Sequence, residues 1–162
     1  MRKSSFPPVA APNTRVLVLG SLPGEKSLAA ERYYAHPQNR FWHLIGRVIG
    51  TDLQPLDYEV RVSALLAAKV GLWDTVASAH RTGSLDASIR EAEHNPLVEL
   101  AASLPELRAV GFNGKTSARI GMPQLAHTEL ALIPLPSSSP AHASMRLAEK
   151  EKLWDQLREF LA

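Results

Sequence analysis

Four short, mostly apolar runs rich in β-branched residues recur along the chain. They occupy residues 15–19, 70–74, 107–112 and 130–134. Runs of this length and composition are typical of strands that are buried on both faces, as in a parallel sheet. The pattern therefore predicts four buried strands.

Between these runs the apolar residues follow the spacing of a helix. In the clearest case, residues 41–49, one helical face carries Phe41, Leu44, Ile45, Val48 and Ile49. Gly50 is expected to end this helix, since glycine readily adopts the left-handed conformation found after a last turn. Further helices are predicted over residues 27–32, 58–69, 96–103, 117–120 and 144–161.

The helix predicted over residues 144–161 has the longest apolar face. Ser144 is expected to cap its first turn, because a serine oxygen can accept a hydrogen bond from a free backbone N–H. The residues expected on its buried face are Leu147, Leu153, Trp154, Leu157, Phe160 and Leu161.

Strands and helices alternate along the chain, which predicts the fold class. The alternation favours an α/β fold, a three-layer αβα domain with a mainly parallel four-stranded sheet. In such sheets ligands bind beyond the carboxyl ends of the strands. The segments that leave those ends are residues 20–24, 112–114 and 135–140, and we expect them to converge.

Length and composition narrow the class of protein. The 162 residues suffice for one domain, so we expect a single domain over residues 1–162, with residues 1–13 loosely ordered. A membrane helix needs about 20 apolar residues, and every apolar run in this chain is much shorter. Residues 1–13 do not resemble a secretory signal. The chain has no cysteine, which excludes disulfides and thiol catalysis. We expect a soluble, cytoplasmic monomer that does not bind membranes.

Charge and histidine content say little about a ligand. The 18 Lys and Arg residues against 16 Asp and Glu leave a formal charge of only +2, which neither requires nor opposes a nucleic-acid partner. The six histidines show no spacing typical of a metal site. We therefore predict neither a metal nor a cofactor.

Residues 20–27, GSLPGEKS, partly resemble a phosphate-binding loop. That loop requires glycine immediately before Lys-Ser, where this chain has Glu25. Pro23 also removes a backbone N–H that could hold a phosphate. An NTP-binding protein, with Asp74 imitating the metal-binding aspartate, remains an alternative, as does a simple tight turn.

Four segments together resemble a known family. They are GSLPG at residues 20–24, YAHPQNRFW at residues 34–42, VGFNG at residues 110–114 and LPSSSP at residues 135–140. Their sequence and order resemble the uracil-DNA glycosylase superfamily, and most of all its hypoxanthine-DNA glycosylase and mismatch-specific uracil/thymine branches. The matches span residues 15–145, and the long second segment is the most specific.

The resemblance implies a reaction, a partner and a fold that agrees with the periodicity. DNA containing a deaminated or mismatched base would be the partner, and the N-glycosidic bond of a flipped base would be hydrolysed without a metal or cofactor. Ser21 stands where the mismatch-specific branch has asparagine, and the hypoxanthine branch assigns catalysis to the position of Asn39. Leu135 replaces the catalytic histidine of uracil-specific members. Hypoxanthine is therefore the first expected base and uracil the second.

The residue types fit this chemistry and also have structural alternatives. Asn39 and Ser21 are the predicted catalytic residues, since Asn39 can orient the attacking water, although Asn39 can instead cap the helix at Phe41. Tyr34 can stack on a flipped base or belong to the core. Asn113 can pair with the base edge or cap a helix.

The remaining predicted contacts lie in the loops. Gly20 and Gly24 are expected beside the base, and backbone groups of Gly114 and Ser117 are expected to lock the Asn113 amide. His142 is expected to be a solvated loop residue, with replacement of the missing catalytic histidine as the alternative. The residues expected to contact DNA, unless they form only a surface turn, are Pro136, Ser137, Ser138, Ser139, Pro140 and Ala141. Candidates for phosphate contacts are Lys26, Arg40, Lys115, Arg119 and Arg146.

Overall fold

The structure is a computed structural model that describes residues 2–140 and 144–162. In chain order its strands are β1 (Arg2–Ser4), β2 (Val16–Gly20), β3 (Val70–Asp74), β4 (Val76–His80), β5 (Arg90–His94), β6 (Ala109–Asn113) and β7 (Ala131–Leu135). Its α-helices are α1 (Glu25–Ala30), α2 (Phe41–Ile49), α3 (Tyr58–Ala67), α4 (Leu97–Ala102), α5 (Lys115–Leu125) and α6 (Leu147–Trp154). Short 3₁₀ helices cover Asp86–Ser88 and Asp155–Phe160.

The central sheet has four parallel strands in the order β3-β2-β6-β7. Alternate residues of β2 face opposite layers, as the two-residue period of a strand requires. Val16 and Val18 pack in a core with residues of α2, α3 and α6. Leu17 and Leu19 pack in a second core with residues of α4 and α5. The predicted three-layer fold is confirmed.

A second sheet, with the antiparallel order β1-β4-β5, is absent from the prediction. It includes the N-terminal segment, since Arg2 pairs with His80. Further along, the backbones of Val9 and Leu72 exchange two hydrogen bonds of 2.8 Å. The expectation that residues 1–13 are loosely ordered is therefore wrong for residues 2–4 and 9, which are paired to strands of the domain.

The helices agree with the pattern best where the apolar face is regular. Helix α2 has the predicted bounds and ends at Gly50, whose φ of +76° is left-handed. Helix α5 is longer than predicted and contains Pro123. In the described residues, the last helical segment is shorter than predicted and is followed by the 3₁₀ turn. Its N-cap residue is Arg146 rather than Ser144, and Leu153 is 41% exposed rather than buried.

Over the described ranges, every helix is too short or too polar to cross a bilayer.

Candidate active site

The loops at the carboxyl ends of the central strands meet at a pocket of about 500 Å³. Residues 20–24 begin with the last residue of β2, residues 114–116 follow β6, and residues 137–140 follow β7. The segment between α1 and α2 adds Tyr34 and Asn39 to the wall. The expected convergence of the loops is confirmed.

Most residues that the sequence assigns to a site line this pocket. They are Gly20, Ser21, Gly24, Tyr34, Asn39, Asn113, Ser137, Ser138, Ser139 and Pro140. Pro136 is half-buried and does not line the pocket, and its carbonyl oxygen accepts a hydrogen bond from Trp154 Nε1 at 2.9 Å. Ala141 and His142 lie outside the described residues. The role of each residue stays a prediction.

Asn113, the last residue of β6, is held by side chains and backbone from two other segments. Its Oδ1 accepts a hydrogen bond from the Ser138 N–H at 2.9 Å, and its Nδ2 donates to Ser138 Oγ at 2.9 Å. Nδ2 also donates to the hydroxyl oxygen of Tyr34 at 3.3 Å. The orientation of the amide is thus fixed by Ser138 and Tyr34.

The expectation that Gly114 and Ser117 lock this amide is wrong. Ser117 Oγ donates to the carbonyl oxygen of Leu19 at 2.7 Å and so ties α5 to β2. The N-cap residue of α5 is Gly114, with φ +98°, and no side chain caps this helix. Asn113 therefore does not have the capping role that was its structural alternative.

Tyr34 is wedged between the pocket and helix α2. Its backbone has a φ of +54°, and Trp42 Nε1 donates to its carbonyl oxygen at 3.2 Å. The ring stacks on Phe41, with centroids 3.9 Å apart and planes at 13°. Phe41 covers one ring face, so a base can stack only on the other. Burial raises the pKa of the Tyr34 hydroxyl, as does nearby Asp74, and the hydroxyl is therefore neutral.

Asn39 is half-buried at the pocket wall, just before helix α2. Its Oδ1 accepts a hydrogen bond from the Phe41 N–H at 2.9 Å, so it satisfies the first N–H of α2 although the N-cap residue is Arg40. A carbonyl oxygen has a second lone pair, which leaves capacity for a water. The Arg40 N–H donates to the Ser138 carbonyl oxygen at 2.9 Å and holds this segment against the serine loop.

Ser21 is buried and makes a hydrogen bond to a carboxylate that the sequence did not indicate. Its Oγ donates to Asp86 Oδ2 at 2.6 Å. Asp86 lies in the 3₁₀ turn between β4 and β5 and also lines the pocket. Burial raises the pKa of Asp86, while Ser21 and Arg81 lower it. Asp86 belongs to no periodic pattern or motif, and 65 residues separate it from Ser21. The contact between them could therefore not be predicted from the sequence.

A second carboxylate, Asp74, lies deeper in the pocket wall. It pairs with Gly20 across the parallel strands, and its Oδ1 is 2.6 Å from where a Cβ on Gly20 would stand. Among the described residues, nothing donates a hydrogen bond to its buried Oδ2. Burial, and then the charge of Asp86, raise the pKa of Asp74 to about 7, against the effect of Arg81. Because Gly20 has no side chain, it leaves space for the Asp74 carboxyl group and for a ligand.

Arg81 holds the loop after β2. Its side chain is fully buried and donates to the carbonyl oxygens of Leu22 and Pro23. The loop therefore presents these two carbonyls to a cation, whereas a phosphate cradle would need free N–H groups. The Glu25 N–H, which begins α1, is bonded to Ser84 Oγ at 2.8 Å. The local geometry does not favour the NTP-binding alternative.

The candidate phosphate contacts are all exposed: Lys26, Arg40, Lys115, Arg119 and Arg146. Lys26 and Lys115 line the pocket, and Arg40 lines a neighbouring depression that shares Ser139 and Pro140 with it. Across residues 2–140 and 144–162, no group of three or more His, Asp or Glu side chains is placed to hold a metal ion.

Comparison with known proteins identifies the class to which this fold and this pocket belong. A family model described as the uracil DNA glycosylase superfamily matches residues 7–158. The chain therefore belongs to the uracil DNA glycosylase superfamily.

Particular relatives fit the same assignment. A hypoxanthine DNA glycosylase of Methanosarcina barkeri is 46% identical over 72% of this chain and 74% of its own length. Another of that name, from Methanosarcina acetivorans, is 37% identical over 96% of this chain and 97% of its own. A solution NMR structure from Methanosarcina acetivorans, named as a candidate uracil DNA glycosylase, has a TM-score of 0.89 and 36% identity, with full coverage of both chains.

Proposed function

We propose that the protein is a monofunctional DNA glycosylase that hydrolyses the N-glycosidic bond of a deaminated base, hypoxanthine first and uracil second. The observation that carries this proposal is the convergence of Ser21, Asn39, Tyr34 and Asn113 on one pocket. The two relatives named hypoxanthine DNA glycosylase support the order of the bases.

The pocket suits a base that has been flipped out of the duplex. Enzymes that act on a base within DNA extrude it into a pocket, where flat side chains stack on it. The free face of Tyr34 is the stacking surface in this pocket. Small-ligand sites commonly have volumes of about 300–1,000 Å³, so a pocket of about 500 Å³ accepts a purine by size.

The fixed amide of Asn113 supplies a reason to prefer hypoxanthine and uracil over the adenine and cytosine from which they arise by deamination. Both Nδ2 hydrogens are directed to Ser138 Oγ and the Tyr34 hydroxyl, whereas Oδ1 keeps a second lone pair. This side chain can therefore accept one more hydrogen bond but has no hydrogen left to donate. Hypoxanthine and uracil present an N–H donor on the Watson–Crick edge, where adenine and cytosine present a bare ring nitrogen. An acceptor selects the first pair and repels the second.

The chemical step needs a held water rather than a covalent intermediate. As the glycosidic bond breaks, positive charge develops on the sugar and negative charge on the leaving base, and water attacks the sugar carbon. Asn39 orients this water through the free lone pair of Oδ1, and Ser21 provides a second oxygen beside it. No lysine is assigned to the reaction, so no Schiff base forms and the strand stays intact.

Residues at the rim of the pocket are the proposed contacts to DNA. The serine loop, residues 137–139, lines the pocket, and its hydroxyls are the groups that can bind phosphates, because the N–H groups of Ser138 and Ser139 already donate to Asn113 Oδ1 and Ser137 Oγ. Lys26, Arg40 and Lys115 add positive charge. Pro140 stands at the rim, where a small apolar residue can occupy the gap left by the flipped base. We further propose that the protein acts as a cytoplasmic monomer.

A cleavage assay in EDTA tests the proposal. Duplexes that contain inosine, uracil, xanthine or a G:T mismatch are incubated with the protein, and abasic sites are then cut with alkali. We expect metal-independent, ATP-independent strand cleavage that appears only after alkali, strongest for inosine. A borohydride-trapped adduct would contradict the monofunctional mechanism. DNA binding without base release would indicate an inactive nucleic-acid-binding module.

The mismatch-specific branch is the alternative within the superfamily. It predicts release of uracil or thymine opposite guanine in preference to hypoxanthine. Ser21 argues against it, because that branch has asparagine at this position. A dominant activity on G:U or G:T pairs in the same assay would favour the alternative.

A further inference from the structure

The hydrogen bond between Ser21 and Asp86 joins two segments that are far apart in sequence. Ser21 follows β2 and is only 6% exposed, and its Oγ lies 2.6 Å from Asp86 Oδ2. The Asp86 side chain is 39% exposed. Both residues line the pocket that also contains Asn39.

This bond decides what Ser21 can offer to a water. A hydroxyl has one hydrogen to donate and two lone pairs that accept. Because an ionised carboxylate only accepts, the single Ser21 hydrogen must be directed to Asp86. The lone pairs of Ser21 Oγ are then left to accept a hydrogen bond from a water. Without Asp86 the same hydroxyl could turn and donate to that water, which would hold it in the wrong orientation.

We propose that Asp86 is a positioning residue that acts through Ser21, fixing its oxygen as an acceptor for the attacking water and taking up the proton that this water releases. The inference rests on the proposed glycosylase function. It supplies the carboxylate that the loop of residues 20–24 lacks in sequence.

A lone pair of the water oxygen forms the bond to the sugar carbon C1′, while the bond from C1′ to the base nitrogen breaks and its electron pair leaves with the base. The proton lost by the water passes to Ser21 Oγ, and the Ser21 proton passes to Asp86 Oδ2. Asp86 ends the step neutral and returns its proton to solvent.

The surroundings of Asp86 favour this role. Burial makes the Asp86 carboxylate more basic than a solvated one, which improves it as a proton acceptor. Arg81 Nη1 stands 3.9 Å from Asp86 Oδ1, a distance beyond a direct hydrogen bond, so the charge of Asp86 is only partly balanced. The other titratable groups with an electrostatic effect in this region are Asp74, Glu25 and Tyr34.

Asp86→Asn separates this role from a merely structural one. Asparagine keeps an oxygen that can accept the Ser21 hydrogen bond, so the contact between the loops survives, but it cannot take up the proton. We expect the single-turnover rate of base release to fall by at least about 10²-fold, the lower end for loss of a positioned acid–base group. Thermal stability should change little.

Three further variants complete the experiment. Ser21→Ala should cost about as much as Asp86→Asn, and the double variant should be no slower than either, because the two residues act as one unit. Asp86→Glu, which restores a carboxylate, should recover part of the rate. Asp52→Asn is the matched control, since Asp52 is exposed and does not line the pocket; it should leave the rate unchanged.

The pH profile provides the second readout. The wild-type rate should fall at acid pH as Asp86 is protonated, and Asp86→Asn should flatten that limb. An Asp86→Asn rate within about threefold of wild type, or single-variant losses that multiply in the double variant, would overturn the role of Asp86. A wild-type protein that releases no base overturns the proposed function itself, and the inference falls with it.

Discussion

Asn39 combines a structural hydrogen bond with the place proposed for the attacking water. Its Oδ1 accepts from the Phe41 N–H, so one substitution removes a helix-terminal contact and a catalytic group together. The two effects can be measured separately. The structural contact contributes to the free energy of unfolding, whereas orientation of water contributes to the rate of the folded enzyme.

Asn39→Ala is therefore expected to lower the single-turnover rate by at least about 10²-fold per folded molecule. Affinity for DNA should change little, since the lost contact stabilises the transition state. The free energy of unfolding should fall by about 1 kcal/mol, as for loss of a helix cap. Asn39→Asp keeps the oxygen that accepts from Phe41 and should recover that stability in a urea titration. Equal activity per folded molecule of Asn39→Ala would contradict the catalytic role.

Ser138 is predicted to control base selection through the Asn113 amide. Ser138→Ala removes the oxygen that accepts from Asn113 Nδ2 at 2.9 Å and leaves a buried donor without this partner. The Ser138 N–H, which alanine keeps, still donates to Asn113 Oδ1, but one Nδ2 hydrogen becomes free to donate to the base. We expect the ratio of hypoxanthine release to adenine release to fall several-fold. Ser137→Ala is the control, since Ser137 Oγ accepts only from the Ser139 N–H among the described contacts. An unchanged ratio would contradict the selection mechanism.

The sequence indicated the polar residues of the pocket but not Asp86, and it indicated Asp74 only under the NTP-binding alternative. Ser21, Asn39 and Asn113 stand in segments whose order and spacing resemble a known family. Asp86 lies in a turn with no such pattern, and only the folded chain brings it to Ser21. The lock on Asn113 was likewise assigned to chain neighbours, because a sequence cannot show that Ser138 is close in space.

At the scale of elements, Arg81 connects the small antiparallel sheet to the loop after β2. Its guanidinium donates to the carbonyl oxygens of Leu22 and Pro23, which are buried residues, and to that of Gly83. Since a buried acceptor without a partner is costly, this one side chain stabilises the wall that holds Ser21.

Arg81→Ala is expected to lower the free energy of unfolding by about 1–3 kcal/mol, the usual cost of a buried polar group left unpaired. Base release should slow as well, because the loop that carries Ser21 loses its anchor. Arg158→Ala is a matched control: Arg158 also donates to a backbone carbonyl, that of Arg47, but outside the pocket. Equal losses of activity in the two variants would contradict the anchoring role.

The elements differ in how clearly the sequence marks them. The central strands are buried on both faces and therefore read as continuous apolar runs, which made the parallel sheet predictable. Strand β5 has the sequence REAEH, whose residues favour helices or solvent and give no strand signal. Helix α5 was predicted only over residues 117–120, yet it runs from Lys115 to Leu125 with Gly121 and Pro123 inside it. In both cases tertiary contacts outweigh local preference.

At the scale of the whole molecule, Asp74 links stability to pH. Its pKa in the folded protein is about 7, raised mainly by burial, whereas an unfolded aspartate titrates near about 3.9. Between these values the folded protein keeps a proton that the unfolded chain has lost. The free energy of unfolding therefore falls as pH rises through this window, and the contribution levels off above the folded pKa.

Asp74→Asn should remove this dependence, because the amide has the same shape and does not titrate. We expect the variant to gain stability over wild type as pH rises from about 4 to 7, by up to about 1.4 kcal/mol per unit of pKa difference. Urea unfolding at several pH values measures the effect. Asp52→Asn, at an exposed site, should follow wild type. Parallel curves for Asp74→Asn and wild type would show that Asp74 does not titrate in this range.

The preference between bases is the sharpest test of the proposed glycosylase function. Single-turnover release of the free base is measured by chromatography from two matched duplexes that differ only in carrying inosine or deoxyuridine. We expect hypoxanthine to be released faster than uracil if the proposed function is right, and we expect Asn39→Ala to lower both activities to a similar degree. A pronounced preference for uracil, or no free base from either duplex, would contradict the proposed function.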